Sequence, residues 1–389
     1  MTPRNLILIL ATSGFASSFS GRAVDPMVGV MARDLGSTPS TIALLSAAFA
    51  LPYAIVQPIL GPVGDAIGKE RVMRVALTLL LVALAGASMA PDTTTLFAMR
   101  VLAGAAAGGA VPLSLAMIGD RVPMKTRQVA LSRYLVAVIS GQLAGSSLAG
   151  LLADTIGWRG VFMISTGMMA LALVATFLGF RGAAPGGPFN LKYALQRYRE
   201  ILSNPRALAL FGFVFVESMA FFGLFPYLAP LIEDLGGGAS QAGLAIAGFA
   251  VGGLVYSVLI SWMLRVLGIP RILIGGGVVG ACALLAIGSA ADWRLYAAAM
   301  LFLGLGFYML HNTFQAQVTE VAPHARASAV ALHAFSFFCG QAIGVVALGY
   351  GLHHIGWQVS LGLAAAVALG VGLTAAFVLS RPPAQPRAL

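Results

Sequence analysis

Twelve apolar stretches of about 18 to 27 residues divide this 389-residue sequence, and they limit its fold more than any other feature. They lie approximately at residues 5–31, 41–62, 73–90, 96–118, 131–152, 160–179, 207–230, 241–263, 271–290, 296–318, 328–350 and 357–379. Apolar helices of roughly 17 to 25 residues are long enough to cross a bilayer. Only 9% of the residues are charged, whereas a soluble domain carries about 25%. We therefore predict an all-α integral membrane protein with twelve transmembrane helices.

The Lys and Arg residues lie mainly in every second loop. If both termini are cytoplasmic, 18 of the 23 lie in cytoplasmic loops or at the cytoplasmic ends of spans, three lie outside, and two, Arg22 and Arg100, lie deeper within spans. The positive-inside rule assigns the basic loops to the cytoplasm. We therefore expect a multi-pass protein of a bacterial-type inner (plasma) membrane with cytoplasmic termini. Because the net charge of +10 is distributed loop by loop, we expect no nucleic-acid partner.

The sequence contains no motif that supports an enzymatic activity or a cofactor site. Cys282 and Cys339 both lie in apolar runs, which indicates neither a disulfide framework nor a cysteine metal site. The stretch GGGVVG at 275–280 formally fits a dinucleotide fingerprint, but it lies within a transmembrane stretch and begins no βαβ unit. We find no nucleotide-binding loop, zinc-ligand spacing or nucleophile elbow. The sequence thus predicts no enzymatic activity, no cofactor and no metal.

The second half of the sequence repeats the first half. Matching pairs at an offset of 200, later 199, include Pro26 and Pro226, Asp34 and Asp234, Gly68 and Gly268, and Gly141 and Gly340. Both halves contain six spans, so the repeats run in parallel through the membrane. We therefore predict two pseudo-symmetric six-helix halves at 1–180 and 207–389, joined by a cytoplasmic linker at 181–206.

The predicted linker begins with Pro and Gly and continues as a basic, amphipathic stretch. Tyr193, Arg197 and Glu200 are spaced as in a short helix on the membrane surface, with its basic residues near anionic lipid. A solvated tether is the equally supported alternative. The partners expected on this basis include membrane lipids.

A small polar set lies inside the predicted spans. It consists of Arg22 and Asp25 in the first span, Tyr53 and Gln57 in the second, Arg100 in the fourth, Glu217 in the seventh, and His311 and Gln315 in the tenth. Charge in the hydrocarbon region is expensive and by default marks a functional site. We therefore predict that this set binds protons or substrate. Asp25 and Arg100 are expected at similar depth, where they could pair.

Structural roles are the alternative for the same residues. Arg22, Asp25 and Arg100 could form an ion-pair network that only supports the fold, and His311 with Gln315 could be a satisfied interior pair. Pro26 and Pro226 cannot donate main-chain hydrogen bonds, so we expect kinks at matching positions in both halves.

The stretch GPVGDAIGKER after the second span predicts a gate on the cytoplasmic side. Its members are Gly61, Asp65, Gly68, Lys69 and Arg71. Glycine permits a tight turn and close backbone approach. An aspartate there can accept hydrogen bonds from a neighbouring helix N-terminus, which favours negative charge. A salt-bridged turn without a gating role is the alternative.

This stretch resembles the loop signature Gly-x-x-x-Asp-x-x-Gly-[Lys/Arg]-x-[Lys/Arg] of the major facilitator superfamily. The resemblance covers nearly the whole chain. Arg100 and Gly104 resemble the signature of the fourth helix in that family, and GQLAGSSLAG resembles its antiporter signature, with Ser146 where proline is usual. The resemblance implies the major facilitator fold, with a site between the halves lined by the first, fourth, seventh and tenth helices. The drug:proton antiporters are the subgroup that the chain resembles most.

We therefore expect a secondary active transporter that exports a small organic compound in exchange for protons, through rocking of the two halves. Burial disfavours the ionised form of a carboxylic acid, so Asp25 or Glu217 could exchange a proton. A uniporter or exchanger of an organic anion bound by Arg22 and Arg100 is the main alternative. A receptor that does not transport is a third possibility, for which the short termini supply no signalling domain. The expected partners are a small-molecule substrate and protons, and the expected state is a monomer.

Overall fold

The computed structural model describes residues 2–180, 191–322 and 325–380, and within these ranges every regular element is helical. The predicted all-α architecture is therefore confirmed. The predicted linker residues 181–190 and the C-terminal residues 381–389 lie outside the described ranges.

The first four spans occupy residues 3–121. Span 1 consists of helix Pro3–Arg22, the 3-10 turn Asp25–Met27 and helix Val28–Asp34; span 2 is Pro39–Ile67, span 3 is Lys69–Ser88, and span 4 consists of Thr93–Ala107 and Ala110–Arg121.

Spans 5 and 6 share one helical stretch, Met124–Gly179. Its 55 residues from Lys125 to Gly179 would extend about 80 Å at 1.5 Å per residue, more than twice the thickness of the bilayer core. The backbone leaves the helical region at Gly157, where φ is 70° and ψ is 166°. Glycine adopts this positive φ without steric cost, so the chain reverses there. The described residues thus contain eleven apolar helical stretches but twelve spans, as predicted.

The remaining helices follow a short surface helix, Leu191–Leu202. Span 7 consists of Pro205–Phe222 and Phe225–Asp234; span 8 is Ala239–Val266, span 9 is Gly268–Ser289, span 10 is Trp293–Val321, span 11 is Arg326–His354 and span 12 is Trp357–Leu379. The helix predicted within the linker is therefore present.

Side-chain caps explain where several of these helices begin. Thr38 accepts a hydrogen bond from the amide of Thr41, and proline follows at the first helical position, as is typical of helix N-termini. Asp92 caps span 4 in the same way, since its carboxylate accepts the Thr95 amide at 2.7 Å. This hydrogen bond lowers the pKa of Asp92, because it stabilises the ionised carboxylate.

Spans 1, 4 and 7 are broken near their middles. Span 1 changes to a 3-10 turn at Asp25–Met27, which contains Pro26. Span 7 is interrupted between Phe222 and Phe225, immediately before Pro226. The kinks expected at the two matching prolines are therefore present as full breaks.

The chain forms two compact units. One comprises Met1–Leu195 and Leu224–Ala247, and the other comprises Gln196–Gly223 and Gly248–Leu389. This grouping divides span 7 at its break, so its second part packs with the first unit. The predicted halves at 1–180 and 207–389 describe the sequence repeat, and as domains they stay a prediction.

Glycines bring helices of the first unit into close contact. A Cβ atom on Gly141 or Gly145 of span 5 would collide with the main-chain carbonyl of Phe15 or Phe19 in span 1. In lipid, small residues drive association because they allow dense packing between helices. Gly141 and Gly145 therefore allow the backbones of spans 1 and 5 to pack directly against each other.

We expect Gly145→Ala to destabilise the protein by about 1 to 3 kcal/mol, because the added methyl group overpacks a backbone contact. Gly167→Ala is the matched control in the same helical stretch, since its Cβ would meet no atom within 4 Å. Alanine favours helix over glycine, so the control should not lower stability. Thermal unfolding of the purified variants in detergent measures the stability of each. Equal shifts of the unfolding temperature in Gly145→Ala and Gly167→Ala would contradict the packing role of Gly145.

Candidate functional site

The break in span 1 places Asp25 in the core of the first unit. Asp25 is 2% exposed, and the Ser46 hydroxyl on span 2 donates to its Oδ1 at 2.7 Å. The Arg22 Nη1 atom lies 3.6 Å from Oδ2. The guanidinium of Arg22 also lies over the ring of Phe225, 5.3 Å from its centroid. Asp25 and Arg22 therefore form the close acid–base pair of this region.

Arg100 is held by main-chain oxygens. It donates from Nη1 to the Ser20 carbonyl at 3.2 Å and from Nε to the Leu45 carbonyl at 3.4 Å, and it lies 4.4 Å from the centre of the Phe49 ring. Within the described ranges no Arg100 nitrogen is within 4.0 Å of the Asp25 carboxylate. Asp25 and Arg100 are therefore not in direct contact, although their opposite charges are close enough to interact electrostatically. The last carbonyls of a helix lack intrahelical donors, and Arg100 satisfies one of them where span 1 breaks.

Tyr53 and Gln57 lie on span 2 close to the break in span 4. Gln57 is buried, and its Nε2 donates to the Gly108 carbonyl at 3.1 Å. Tyr53 packs against Phe49 with ring centroids 5.8 Å apart. These contacts give Gln57 a clear structural role, because Gly108 lies between helices Thr93–Ala107 and Ala110–Arg121.

Glu217 and His311 meet in the core of the second unit. Glu217 on span 7 is fully buried, and its Oε2 lies 3.1 Å from His311 Nδ1 on span 10. Its Oε1 has no hydrogen-bond partner within the described ranges. No Lys or Arg nitrogen of the described residues lies within 4.0 Å of this carboxylate. In the structural alternative Gln315 would be the interior partner of His311, but Gln315 is exposed and His311 contacts Glu217 instead.

Aromatic side chains surround the His311 ring. Phe307 stacks on it at a centroid distance of 4.8 Å, and Phe337 contacts it at 5.0 Å. Phe222 contacts both of these phenylalanines and also Phe249. An apolar aromatic cluster therefore packs around the His311 ring, whose side chain is 15% exposed, while Glu217 is fully buried.

His333 is a third buried polar residue in this region, and the sequence analysis missed it. It lies on span 11, is 3% exposed, and its ring centroid is 5.0 Å from that of His311. The signal was a single histidine in an otherwise apolar stretch of span 11. The described residues contain no group of three or more His, Cys, Asp or Glu side chains arranged to hold a metal ion.

The predicted gate is a helix junction. Gly68 has φ of 95° and is the single residue between spans 2 and 3, which confirms the tight turn. Lys69 Nζ lies 3.0 Å from Asp65 and 2.8 Å from Asp120 on span 4. The Asp65 side chain is 70% exposed. Asp65 was expected to accept hydrogen bonds from a neighbouring helix N-terminus, but its partner is the side chain of Lys69.

The other two predicted gate residues are exposed. Gly61 lies inside the helix of span 2, and a Cβ there would meet nothing within 4 Å, so the expected close backbone approach is absent from the described contacts. Arg71 lies on the surface of span 3.

Glu70 forms the buried ion pair of this junction. Its side chain is 6% exposed and pairs with Arg121 at the end of span 4. The guanidinium of Arg121 also lies over the ring of Phe180. The main-chain carbonyl of Phe180 accepts a hydrogen bond from Arg74. Glu70 was not among the predicted gate residues, because a sequence pattern does not show which member of a charged turn is buried.

We expect Asp25 to be coupled energetically to Arg22 more strongly than to Arg100. A double-mutant cycle of Asp25→Asn with Arg22→Gln should give a coupling energy of about 0.5 to 3 kcal/mol, because these groups are in contact. The cycle with Arg100→Gln is the control and should give a smaller value. Thermal unfolding of the four proteins of each cycle measures the coupling. A larger coupling with Arg100 would contradict this assignment.

We expect Glu70→Gln to destabilise the protein by about 1 to 3 kcal/mol, because Arg121 loses a buried charged partner. Asp65→Asn should change stability by about 0 to 1 kcal/mol, since exposed ion pairs contribute little. Thermal unfolding compares the two variants at the same junction. If Asp65→Asn were the more damaging variant, the burial of Glu70 would not govern the junction.

Comparison with protein families places these observations in context. The sequence profile described as Major Facilitator Superfamily matches residues 10–231 and, in a second match, residues 210–389. The chain is 25% identical over 368 residues to the multi-drug resistance efflux pump PmrA of Streptococcus pneumoniae, covering 89% of this chain and 90% of that protein.

Two further relatives match over shorter segments. The chain is 26% identical over 258 residues to the uncharacterized MFS-type transporter YwfA of Bacillus subtilis, covering 64% of this chain and 62% of that protein. It is 30% identical over 242 residues to the PmrA homolog of Lactococcus lactis, covering 60% of this chain and 58% of that protein. In these two matches the chain spans about three fifths of the relative's length.

Solved structures share the fold. A POT family transporter in complex with a thioalcohol conjugated peptide superposes with a TM-score of 0.80 at 15% identity, covering 96% of both chains. A D-xylose–proton symporter superposes with a TM-score of 0.76 at 17% identity, covering 97% of this chain and 98% of that one. The predicted major facilitator fold is confirmed, as is the resemblance to drug efflux proteins. The chain therefore belongs to the major facilitator superfamily, with multidrug efflux pumps among its relatives.

Proposed function

We propose that this transporter exports a small organic compound in exchange for protons, by alternating access, and that Glu217 carries the coupling proton. The observation that supports this proposal most is the burial of the Glu217 carboxylate, which has His311 as its partner at 3.1 Å. A charged group inside a membrane by default marks a functional site, and carboxylate–histidine chains are typical of proton relays.

The chemistry of the pair fits proton exchange. A proton shared by a carboxylate and an imidazole can lie on either group, so the pair can be neutral or an ion pair without changing its net charge. Adding or removing one proton then changes the net charge of the buried site. Because an uncompensated charge in an apolar environment is expensive, such a change is coupled to any step that alters access to water. Export driven by the proton gradient needs this coupling.

The surroundings of the pair support a lipophilic substrate. Phe222, Phe307 and Phe337 pack close to His311 and offer apolar, polarizable surface. Pockets for small molecules are mostly apolar, with few polar groups that fix orientation. The name of PmrA as a multi-drug resistance efflux pump is consistent with a substrate of this kind.

The polar set of the first unit supports a second candidate function. Arg100 is 1% exposed, and its Nη2 has no hydrogen-bond partner within the described ranges. A buried guanidinium with an available donor suits a carboxylate or phosphate group. In this alternative Arg22 and Arg100 bind an organic anion, Asp25 orients them, and the protein is a uniporter or exchanger.

Several features of the proposed transporter rest on the sequence. We place both termini in the cytoplasm of a bacterial-type inner membrane, because 18 of the 23 Lys and Arg lie on that side in this orientation. Tyr53, Gln57 and Gln315 remain proposed members of the substrate region. The junction from Gly61 to Arg71 is the proposed gate. We propose that the protein acts as a monomer in contact with membrane lipids.

We expect Glu217→Gln to abolish accumulation driven by a pH gradient, because glutamine keeps the shape of the side chain but cannot carry the proton. The measurement is ethidium transport by the full-length protein in proteoliposomes, with and without an imposed gradient. Glu320→Gln is the matched control, since Glu320 is 68% exposed and pairs with Arg326. The control should retain gradient-driven transport.

The same experiment separates the two candidate functions. Binding of ethidium that survives in Glu217→Gln, together with loss of uphill transport, supports proton coupling at Glu217. Unchanged uphill transport in Glu217→Gln would refute this role. The second candidate function is supported if the pH gradient does not change ethidium transport by the wild type, the wild type exchanges an organic anion, and Arg100→Gln stops this exchange.

A further inference from the structure

His333 has the features of a group that handles protons. It lies on span 11 with its side chain buried, and neither Nδ1 nor Nε2 has a hydrogen-bond partner within the described ranges. A buried imidazole without a partner is unfavourable, because polar groups removed from water are normally hydrogen-bonded. Its contact with the His311 ring, at a centroid distance of 5.0 Å, places it next to the Glu217–His311 pair.

His333, His311 and Glu217 lie, in this order, at increasing distances from one end of the second unit. Span 7 begins beside the end of span 10, where Asn204 donates to the Val321 carbonyl at 3.3 Å. Tyr198, which precedes span 7, hydrogen-bonds Ser328 near the beginning of span 11. The beginnings of spans 7 and 11 and the end of span 10 therefore share this end of the unit.

Counting along the helices gives the depth of each group from that end. His333 is seven residues into span 11, His311 is ten residues before the end of span 10, and Glu217 is twelve residues into span 7. At 1.5 Å per residue these positions are about 10, 15 and 18 Å deep. His333 is the shallowest, so the three side chains form a ladder from the helix ends to Glu217.

The helices packed around His333 add few other titratable groups. Span 12 carries none, the first part of span 7 carries Arg206 besides Glu217, and span 10 carries Arg294, Tyr296, Tyr308 and Glu320 besides His311. Arg206 is bound to Gln317 and to the Leu379 carbonyl, and Glu320 is exposed beside Arg326. His311 is therefore the titratable group that the ring of His333 contacts.

We propose that His333 is a proton-relay residue that delivers protons between the adjacent end of the second unit and Glu217, through His311. This proposal rests on the proposed function of Glu217 as the coupling acid. Neither His333 nitrogen is within hydrogen-bond distance of His311, so a protonated His333 gives its N–H proton through one bridging water to the His311 ring nitrogen that does not face Glu217. The Nδ1–H bond of His311 breaks, and that proton forms the O–H bond of Glu217. His333 and His311 end neutral, His311 in the other tautomer, and no proton or electron is gained or lost.

A relay residue affects the rate of proton transfer more than its equilibrium, and this difference gives the test. Infrared spectroscopy of the full-length protein follows the C=O stretch of protonated Glu217, identified by its loss in Glu217→Gln. After a pH jump, the band should develop roughly 100-fold more slowly in His333→Phe than in the wild type, because general acid–base groups accelerate proton transfer by this order. The midpoint of the equilibrium titration should change little.

Two further variants keep the test decisive. His333→Gln also removes the imidazole and can be measured if His333→Phe does not fold. In this variant the Glu217 band should develop as slowly as in His333→Phe. His354→Gln is the matched control, because His354 lies at the exposed end of the same helix and contacts His353 and Tyr350. It should leave the rate unchanged.

The outcomes separate this proposal from the proposed function. If the Glu217 band titrates but its rate is unchanged in the His333 variants, the relay is refuted and the coupling role of Glu217 stands. If the wild type shows no titration of Glu217, the proposed function fails and the relay fails with it. If His354→Gln slows the protonation of Glu217 as much as the His333 variants do, the relay is refuted, because the effect would then not depend on the buried ring of His333.

Discussion

Close packing of helix backbones at glycine is the constraint on which this fold depends. In lipid, helices gain little from burying apolar side chains against each other, so association relies on dense contact between small residues. Gly104 meets the Phe49 carbonyl between spans 4 and 2, and Gly304 meets the Phe249 carbonyl between spans 10 and 8. These contacts lie 200 residues apart, so the sequence repeat preserves the packing of the helices.

The polar chemistry of the two halves differs, although their packing is shared. Positions 22, 25 and 100 carry Arg, Asp and Arg in the first half, and the matching positions 222, 225 and 300 carry Phe, Phe and Met. Conversely, Glu217 corresponds to Ser17, and His333 corresponds to Tyr134 at the offset of 199. A duplicated scaffold therefore holds a cationic set in one unit and an acid–imidazole set in the other. The proposed function uses these differences, whereas the repeated glycines maintain the helix contacts.

The sequence was sufficient to predict the class and the number of spans, because both depend on local composition and periodicity. Burial of Asp25, Arg100 and Glu217 follows from charge in an apolar stretch. The partners of these residues could be predicted only in part. Asp25 lies three residues after Arg22, where helical spacing alone places the two side chains together. The hydrogen bond from Ser46 instead depends on how span 2 packs against span 1, which the sequence does not show. Gln315 fits the helical stripe of His311 but is exposed, because spacing does not show which part of a helix its neighbours cover.

Helix breaks divide the buried polar groups into two kinds. Where spans 1 and 4 break, main-chain oxygens lose their intrahelical donors, and in a membrane such groups must be satisfied by protein. Gln57 and Arg100 meet this need, since they donate to the carbonyls of Gly108 and Ser20. Glu217 satisfies no main-chain group in the described contacts, and its Oε1 has no partner there. Arg22 supplies a fixed positive charge beside Asp25, whereas the partner of Glu217 is an imidazole that can itself gain or lose a proton. Asp25 and the third buried acid, Glu70, both pair with arginine, so Glu217 is the buried acid of the described residues whose partner can itself change charge.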